Sequence, residues 1–402
     1  MVKDEKMKVV VGLTNSADSK VAAYLLNRQG YEVLGVSFFF SPKKADRING
    51  IGNKEYIHSI FGEFDVADPK EVKSFCQKLG IQHFGFNAYE EFKDEVVDNY
   101  VAYRLKTASN NANFSCSKLT LDLLYLKAKD LGADFISTGH YAKVHFSQTS
   151  KSYFLNAAND INSDQSFLLA KMGQDILGKL ILPLGDLRKL EVNKIAQKQG
   201  WDLAETRVDD KGFNSNEVNQ YIKDNVAKSL TKAGNLVFFQ DDLSVGTHEG
   251  LHQQNFGQKY VGNLYQTTAP GDYVVVDINR YSGDVFIEKR TNIYCKKIFL
   301  NNLSLRKTAV RAKPSQVIIK IEIDPVTYPA TIHFKNNNSC LLILSEKINK
   351  LFPSGTYVTI YEELIGGRLS VLGSGRVKYE PKFLDIDNDQ NNKENKVAEI
   401  EF

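Results

Sequence analysis

The chain has 402 residues, of which 42% are hydrophobic and 25% charged, a composition that predicts a packed globular protein of two or three domains. Its formal net charge of +3 is too small to indicate a general nucleic-acid binder, so any basic surface must be local. None of the four cysteines lies in a C-x-x-C pair, which argues against a zinc or iron–sulfur site, and no metal site is expected.

Membrane association is not expected either. The N-terminus lacks the apolar core of a signal peptide, and no run approaches the roughly 20 apolar residues of a membrane span. Few cysteines in a long chain also suit a reducing compartment. The sequence therefore predicts a soluble, cytoplasmic protein with no membrane partner.

Strands and helices alternate in the first half of the chain. Strand patterns cover residues 9–11, 31–40, 81–86 and 134–137, and helical spacing covers residues 21–26, 69–80 and 119–131. This alternation predicts an α/β domain with a parallel sheet covered by helices on both faces. Ligands in such sheets bind beyond the carboxyl ends of the strands.

The pattern changes near residue 215. A helix is predicted over residues 217–235, and strand patterns follow at residues 273–278, 317–323, 340–344 and 357–361. Glycine and asparagine between these runs indicate small β domains. From residue 384 the chain is rich in Asp, Asn, Lys and Glu, which predicts a disordered acidic tail.

The first candidate site is the loop after the first predicted strand, T-N-S-A-D-S at residues 14–19. Free N–H groups at the start of the next helix, together with the helix dipole, would make this loop an anion site. The alternative is an ordinary strand–helix loop in which Ser16 or Asp18 caps the helix.

A second loop, residues 137–142, follows another predicted strand and should lie at the same edge of the sheet. Gly139 would allow a ligand to approach the backbone closely. His140 would then contact a phosphate or a base. Alternatively, His140 is a satisfied polar residue at the end of a strand.

Two further segments are open to two interpretations. Asp164 and Gln165 could hydrogen-bond a ligand, or Ser163 or Asp164 could cap the following helix. Cys116 precedes a predicted helix, where the pKa of a thiol can be lowered and the thiol can act as a nucleophile, helped by Lys118. A lone cysteine is more often a small buried hydrophobe.

Taken together, these segments resemble the bacterial tRNA 2-thiouridylases. The resemblance runs from about residue 8 to residue 380 and keeps its order. The segments that carry it are GLTNSADSKVAAYLL, FSCSK, ADFISTGHYAKV, DQSFLLAKM, LPLGDLRKLEVNKIAQKQG, GTHEGLHQQNFGQK and YPATIHF.

The resemblance implies a fold and a reaction. The fold is a Rossmann-like PP-loop ATPase domain at residues 1–215, a small central domain at 216–305, a C-terminal β-barrel at 306–383 and a tail at 384–402. In the reaction, ATP with Mg²⁺ adenylates the wobble uridine of a tRNA at its 2-oxygen. A persulfide sulfur, supplied by a donor protein, then displaces AMP. One cysteine carries the persulfide, and a second releases the sulfur through a transient disulfide.

The same resemblance implies roles for individual residues. Nucleotide binding is expected at Gly12, Leu13, Thr14, Asn15, Ser16, Ala17, Asp18, Ser19, Phe38 and Gly139. Contacts to tRNA are expected at Asn111, Ala112, Asn113, His140, Ser163, Asp164, Gln165 and Lys259. The catalytic positions are Cys116, which matches the first family cysteine, and Asn214, which stands where the family has the persulfide cysteine.

The chain departs from the family in the motifs that carry its chemistry. The phosphate loop SGGxDS has lost both glycines to Asn15 and Ser16, and the DSxGIC motif reads D-D-K-G-F-N at residues 209–214. A PNP segment is replaced by N-N-A at residues 110–112. The basic RYR-type strand of the barrel aligns with E-I-D at residues 322–324, which reverses two charges unless Lys313 or Lys320 replaces the contact.

These departures leave two hypotheses of different classes. In the first, the chain is a tRNA sulfurtransferase that uses Cys116 alone and an external sulfur donor. In the second, it is a non-catalytic family member that binds a nucleotide, RNA or a protein partner. Because asparagine cannot form a persulfide, we expect the sulfur-transfer activity to be reduced or lost.

Overall fold

The computed structural model describes residues 6–39, 69–99, 113–201, 232–257, 259, 264–266, 268, 271–279, 281–306, 313–324, 326–378 and 385–386. The strands in these ranges are β1 (Lys8–Gly12), β2 (Glu32–Phe39), β3 (Gln82–Asn87), β4 (Phe135–Ser137), β5 (Ala142–Ser147), β6 (Ser152–Ala157), β7 (Leu180–Ile181), β8 (Gly234–Phe238), β9 (Ser244–His248), β10 (Tyr273–Ile278), β11 (Val285–Lys289), β12 (Ile293–Leu305), β13 (Ser315–Ile321), β14 (Thr327–Asn336), β15 (Ser339–Ile348), β16 (Tyr357–Leu364), β17 (Arg368–Val377) and β18 (Asp385–Ile386).

The α-helices are α1 (Ala17–Arg28), α2 (Pro69–Leu79), α3 (Tyr89–Phe92), α4 (Asn113–Asp130), α5 (Gln174–Leu177) and α6 (Lys189–Lys198). A π-helical segment, Lys93–Asp98, follows α3, and short 3-10 turns include Ser166–Leu169. In the ranges given above, no helix combines the length and the apolar character that a membrane crossing requires.

The predicted parallel sheet is confirmed. Five strands lie in the order β3-β2-β1-β4-β7, and every neighbouring pair is parallel. The three valines of β1 are fully buried because helices cover both faces of the sheet. Leu121 and Leu124 of α4 pack on one face, and Val21 and Leu26 of α1 are also fully buried. The carboxyl ends of β1 and β4 consequently bring the loops after them to the same edge.

A closed barrel forms the C-terminal part of the described chain. Six antiparallel strands follow the order β12-β15-β14-β13-β16-β17, and pairing of β12 with β17 closes the ring. Alternate residues of β13, Val317, Ile319 and Ile321, point into the barrel core and are at most 4% exposed. The barrel strand β12 begins at Ile293, ahead of residue 306, where the sequence analysis starts this domain.

A hairpin from the N-terminal domain extends the barrel sheet. Strands β5 and β6 pair with each other, and Asn156 of β6 pairs with Ser370 of β17. Nearby, Ser166 and Tyr361 of β16 share a hydrogen bond of 2.9 Å between their hydroxyl oxygens. The N-terminal domain and the barrel are therefore joined by backbone pairing as well as by side chains.

Between them in sequence lies a four-stranded sheet of order β10-β11-β8-β9. The predicted helix over residues 217–235 is wrong at its end, because Gly234 and Asn235 belong to β8. The rest of that prediction lies outside the described residues, apart from residues 232–233. The predicted disordered tail is also wrong in one place, because Asp385 and Ile386 pair with the start of β12.

One buried carboxylate holds the β13–β14 turn. Asp324 is 4% exposed, and its Oδ2 accepts hydrogen bonds from Lys350 Nζ at 2.7 Å and from the Tyr328 hydroxyl at 2.6 Å. Burial by itself would raise the pKa of Asp324, but the bonds from Lys350, Tyr328 and the Val326 N–H outweigh it and lower the pKa. The ionised form of Asp324 therefore stabilises the fold.

We predict that Asp324→Asn destabilises the protein by about 1.5–3 kcal/mol, since it removes charge-assisted hydrogen bonds from a buried site. Urea-induced unfolding measures the change. Glu363→Gln, at an exposed position of β16 in the same barrel, is the control and should change stability by less than about 0.5 kcal/mol. Equal effects of the two substitutions would contradict the assignment.

The lowered pKa of Asp324 also predicts a pH dependence. A carboxylate whose folded pKa lies below its unfolded value of about 3.9 stabilises the fold above that value and loses this contribution as pH falls through the folded pKa. The stability difference between the native chain and Asp324→Asn should therefore shrink below about pH 4. A difference that stays constant down to pH 3 would contradict this.

Candidate functional site

The loop after β1 is held by its own hydroxyl groups. Ser16 caps α1, since its Oγ accepts a hydrogen bond from the Ser19 N–H at 3.2 Å. The hydroxyl of Thr14 lies 2.9 Å from that of Ser16 and 3.2 Å from that of Ser19. The Ser19 hydroxyl in turn accepts from the Thr14 N–H at 3.1 Å. Three hydroxyls therefore form a closed network at the start of α1, as the capping interpretation predicts.

This network leaves donors at the first turn of the helix. The backbone N–H groups of Ala17 and Asp18 make no hydrogen bond within the described part of the chain. Such groups, with the positive end of the helix dipole, bind phosphate. The Ser137 hydroxyl, at the carboxyl end of β4, is likewise buried without a partner among the described residues. The chemistry of this edge therefore fits a phosphate-containing ligand.

The lost glycines do not leave a strained backbone. The non-glycine residues with positive φ in the described ranges are Lys151, Asp242 and Asn302, and none of them lies in this loop. Asn15 and Ser16 therefore need no left-handed conformation here.

The carboxylate of Asp18 is bound on both oxygens. Lys189 Nζ, at the first residue of α6, lies 2.8 Å from Oδ1 and 2.5 Å from Oδ2. The Tyr141 hydroxyl donates to Oδ1 at 2.8 Å. A magnesium ion on Asp18 would have to displace the lysine. Sequence reasoning assigned no role to Lys189 or Tyr141, although both lie in the quoted segments.

The second loop packs directly on the first. A Cβ added to Gly139 would lie 2.8 Å from the backbone nitrogen of Ser19 and 2.9 Å from the carbonyl carbon of Asp18. The glycine is therefore required by the fold as well as suited to a ligand. His140 Nδ1 lies 2.7 Å from the Thr138 hydroxyl, and burial lowers the pKa of His140 to about 4, with Asp18 opposing the shift. The imidazole is neutral at physiological pH.

The D-Q-S segment makes bonds within the fold. Asp164 Oδ1 accepts from the Ala158 N–H at 2.8 Å, and Gln165 Oε1 accepts from the Tyr141 N–H at 3.1 Å. Ser163 donates through its hydroxyl to Asp160 at 3.2 Å. The segment thus orders the loop that carries Tyr141. Contact with tRNA through these residues stays a prediction.

Cys116 lies inside α4 rather than before a helix, because α4 begins at Asn113. Burial raises the pKa of its thiol well above the usual range, which favours the interpretation as a buried hydrophobic residue over that as a nucleophile with a lowered pKa. Lys118 forms an ion pair with Asp122 one turn along the helix. Because α4 runs antiparallel to the strand that follows it, Cys116 still lies at the carboxyl edge of the sheet.

Other predicted residues lie farther from this loop, or beyond what can be described. Phe38 is buried in the core near the end of β2, and its ring lies 6.3 Å from that of Phe86. Lys259 forms an ion pair of 2.9 Å with Asp272 next to the central sheet. Asn113 is the first residue of α4. The other three, Asn111, Ala112 and Asn214, lie outside the described residues.

The predicted charge-reversed strand at residues 322–324 is wrong. Strand β13 ends at Ile321, and Glu322 and Asp324 occupy the turn after it. Asp324 is buried and neutralised by Lys350, so it does not present an exposed negative charge to a ligand. Across the described ranges, no group of three or more His, Cys, Asp or Glu side chains is arranged to hold a metal ion.

Known proteins are similar in sequence to this chain over most of its length. The profile of the tRNA methyl transferase HUP domain family matches residues 7–213. A tRNA-specific 2-thiouridylase MnmA from Malacoplasma penetrans is 33% identical over 267 residues, which are 64% of this chain and 69% of the relative. The enzymes of the same name from Clostridioides difficile and Clostridium perfringens are 26% and 29% identical over 90% of this chain and 97% and 98% of their own.

The contact of Gly139 with α1 gives a test of how the site is built. We predict that Gly139→Ala destabilises the protein by about 1–3 kcal/mol, because its Cβ would overlap the backbone of α1. Gly12→Ala is the matched control, since a Cβ there would meet Leu124 at an ordinary 3.5 Å and should change stability by less than about 1 kcal/mol. Urea-induced unfolding of both variants decides it, and an unaffected Gly139→Ala protein would contradict this packing.

Proposed function

The chain belongs to the tRNA 2-thiouridylase family, and from this premise we propose that it binds an adenine nucleotide and tRNA while its sulfur transfer is reduced or lost. One feature of the sequence carries the proposal: residues 209–214 resemble the family's DSxGIC motif, and this resemblance puts Asn214 where the persulfide cysteine is expected. An amide has no sulfur to carry and no thiolate to attack.

Nucleotide binding is supported by the start of α1. Two backbone N–H groups are available there, and the hydroxyls of Thr14, Ser16 and Ser19 line the same turn. The triphosphate of ATP would lie against these donors. Asp18 remains at its family position, but Lys189 occupies both of its oxygens, so magnesium would reach the phosphates with less help from the protein.

The one-cysteine route is disfavoured by the state of Cys116. Its thiol has a raised pKa, and the thiolate is the form that attacks a persulfide or accepts sulfur. We therefore favour a protein that binds its ligands with little turnover over a sulfurtransferase that works through Cys116 alone. Both roles use tRNA, for which the cytoplasm is the expected location.

We predict that Asn214→Cys raises 2-thiouridine formation by about 10²-fold or more, because it restores a nucleophile that positioning groups cannot replace. The measurement is complementation of a thiouridylase-deficient bacterial strain, with thiolated tRNA quantified by mass spectrometry. Asn214→Ser, which adds no thiol, is the control. A native chain that restores full 2-thiouridine levels would contradict the proposal of reduced activity.

We predict that ATP with Mg²⁺ binds at least about ten-fold more weakly than to a phosphate loop with both glycines, since two or three backbone contacts of ~1–1.5 kcal/mol each are obstructed. Calorimetric titration of the native chain and of the double variant Asn15→Gly with Ser16→Gly measures this. Replacing the cap Ser16 by glycine costs only a few tenths of a kcal/mol, so tighter binding should be visible. A low-micromolar dissociation constant for the native chain would contradict the prediction.

A further inference from the structure

A tyrosine ring orders two cations where the N-terminal domain meets the barrel. The ammonium nitrogen of Lys171, just after the Ser166–Leu169 turn, lies 3.4 Å from the centre of the Tyr357 ring. The guanidinium carbon of Arg376, on β17, lies 4.3 Å from the same centre, and Arg376 also donates to the Tyr357 hydroxyl. Contact with an aromatic face fixes the position of a cation without neutralising it.

Further charges surround this pair. Lys118 of α4 and Arg376 both repel the Lys171 cation, and Glu322 attracts it. Burial, followed by Arg376, lowers the pKa of Lys171 to about 7; Glu322 opposes the shift, and Lys118 adds a smaller lowering effect. Asp122 is the partner of Lys118. The positive charges therefore outweigh the neighbouring carboxylates in their effect on Lys171.

We propose that Lys171, Arg376 and Lys118 bind a phosphate group of the RNA backbone, and that Lys171 takes up a proton when the RNA binds there. The proposal rests on the proposed function, because that is what makes RNA the ligand. Two ammonium groups and a guanidinium suit phosphate oxygens and carry no base specificity, which is how backbone contacts position an RNA.

The cluster lies where α4 of the N-terminal domain and the barrel both contribute cations. Lys118 follows Cys116 by two residues in α4, and Arg376 belongs to the barrel. A phosphate bound by both would connect the barrel to the helix that starts at the edge of the candidate site. The three cations would thus position the RNA backbone at a fixed distance from that edge.

The proton uptake follows from linkage. Because the pKa of Lys171 is lowered to about 7, this side chain gains charge as pH falls through the neutral range, and an anion binds the charged form more tightly. A lysine with a lowered pKa is protonated below that pKa, so RNA affinity should rise as pH falls from 8.5 to 6.5, by about ten-fold. Burial lowers the pKa of His140 to about 4, which is below this range.

The test measures binding of an in vitro transcribed tRNA to the full chain by fluorescence anisotropy between pH 6.5 and 8.5. The native chain should show the rise in affinity. Lys171→Arg keeps its charge throughout and should bind tightly at every pH, whereas Lys171→Gln should bind weakly at every pH. Lys179→Gln is the control, an exposed lysine 5.7 Å from the Phe135 ring and away from this cluster, and should behave as the native chain.

Several outcomes overturn the proposal, and they separate it from the proposed function. Tight tRNA binding that is equal in the native chain and in Lys171→Gln would contradict the phosphate site but not the proposal that the chain binds RNA. If no variant binds tRNA, both the phosphate site and the proposed function are contradicted. Inorganic phosphate that binds at micromolar concentration with the same pH dependence would assign the site to free phosphate and not to RNA. If Lys171→Gln does not fold, the contrast between the native chain and Lys171→Arg still decides the question.

Discussion

The carboxylate of Asp18 is 13% exposed, and both of its oxygens bond to Lys189, with Tyr141 donating to one of them. Three separate segments, α1, the loop after β4 and the start of α6, meet at this one charge. Removing a cation from a buried pair leaves an uncompensated charge, which costs several kcal/mol on the usual scale. The hydroxyl network of Thr14, Ser16 and Ser19 lies at the same turn of α1, and Gly139 packs against the backbone of that turn. The chain has this ion pair but lacks the two glycines that the resemblance predicts for the phosphate loop, because residues 15 and 16 are Asn and Ser.

The second organising contact lies between the domains. Strand β6 adds to β17, and Ser166 bonds to Tyr361 on the neighbouring barrel strand. Asp164, whose pKa is raised by burial, accepts from Ser166 and so ties the D-Q-S loop to the same place. These residues look in sequence like ligands for a substrate. In the fold, these residues hold the loop that carries Tyr141 against the barrel.

Hydrophobic periodicity predicted the parallel sheet and the barrel strands because both signals are local. The strand at β10 was predicted with its exact bounds, and α4 was predicted from residue 119 although it begins at Asn113. That six-residue difference places Cys116 inside the helix and not before it, and burial raises the pKa of its thiol. Asp324 was expected to face the RNA because it aligns with the basic strand of the family, and nothing in the local sequence reveals that Lys350 is its partner. The pairing of β6 with β17 joins residues 156 and 370, and no local pattern carries such a long-range contact.

The pairing of Asn156 with Ser370 bears on how this protein could exchange parts with its relatives. A strand that slips by one residue presents every side chain to the wrong face, so the register between the hairpin and the barrel must be inherited as a unit. The barrel is therefore not structurally independent of the β5–β6 hairpin. Recombination that brings in a relative's barrel without its β5–β6 hairpin would join two halves of one sheet that had not evolved together, and lineages of this chain should exchange both segments or neither.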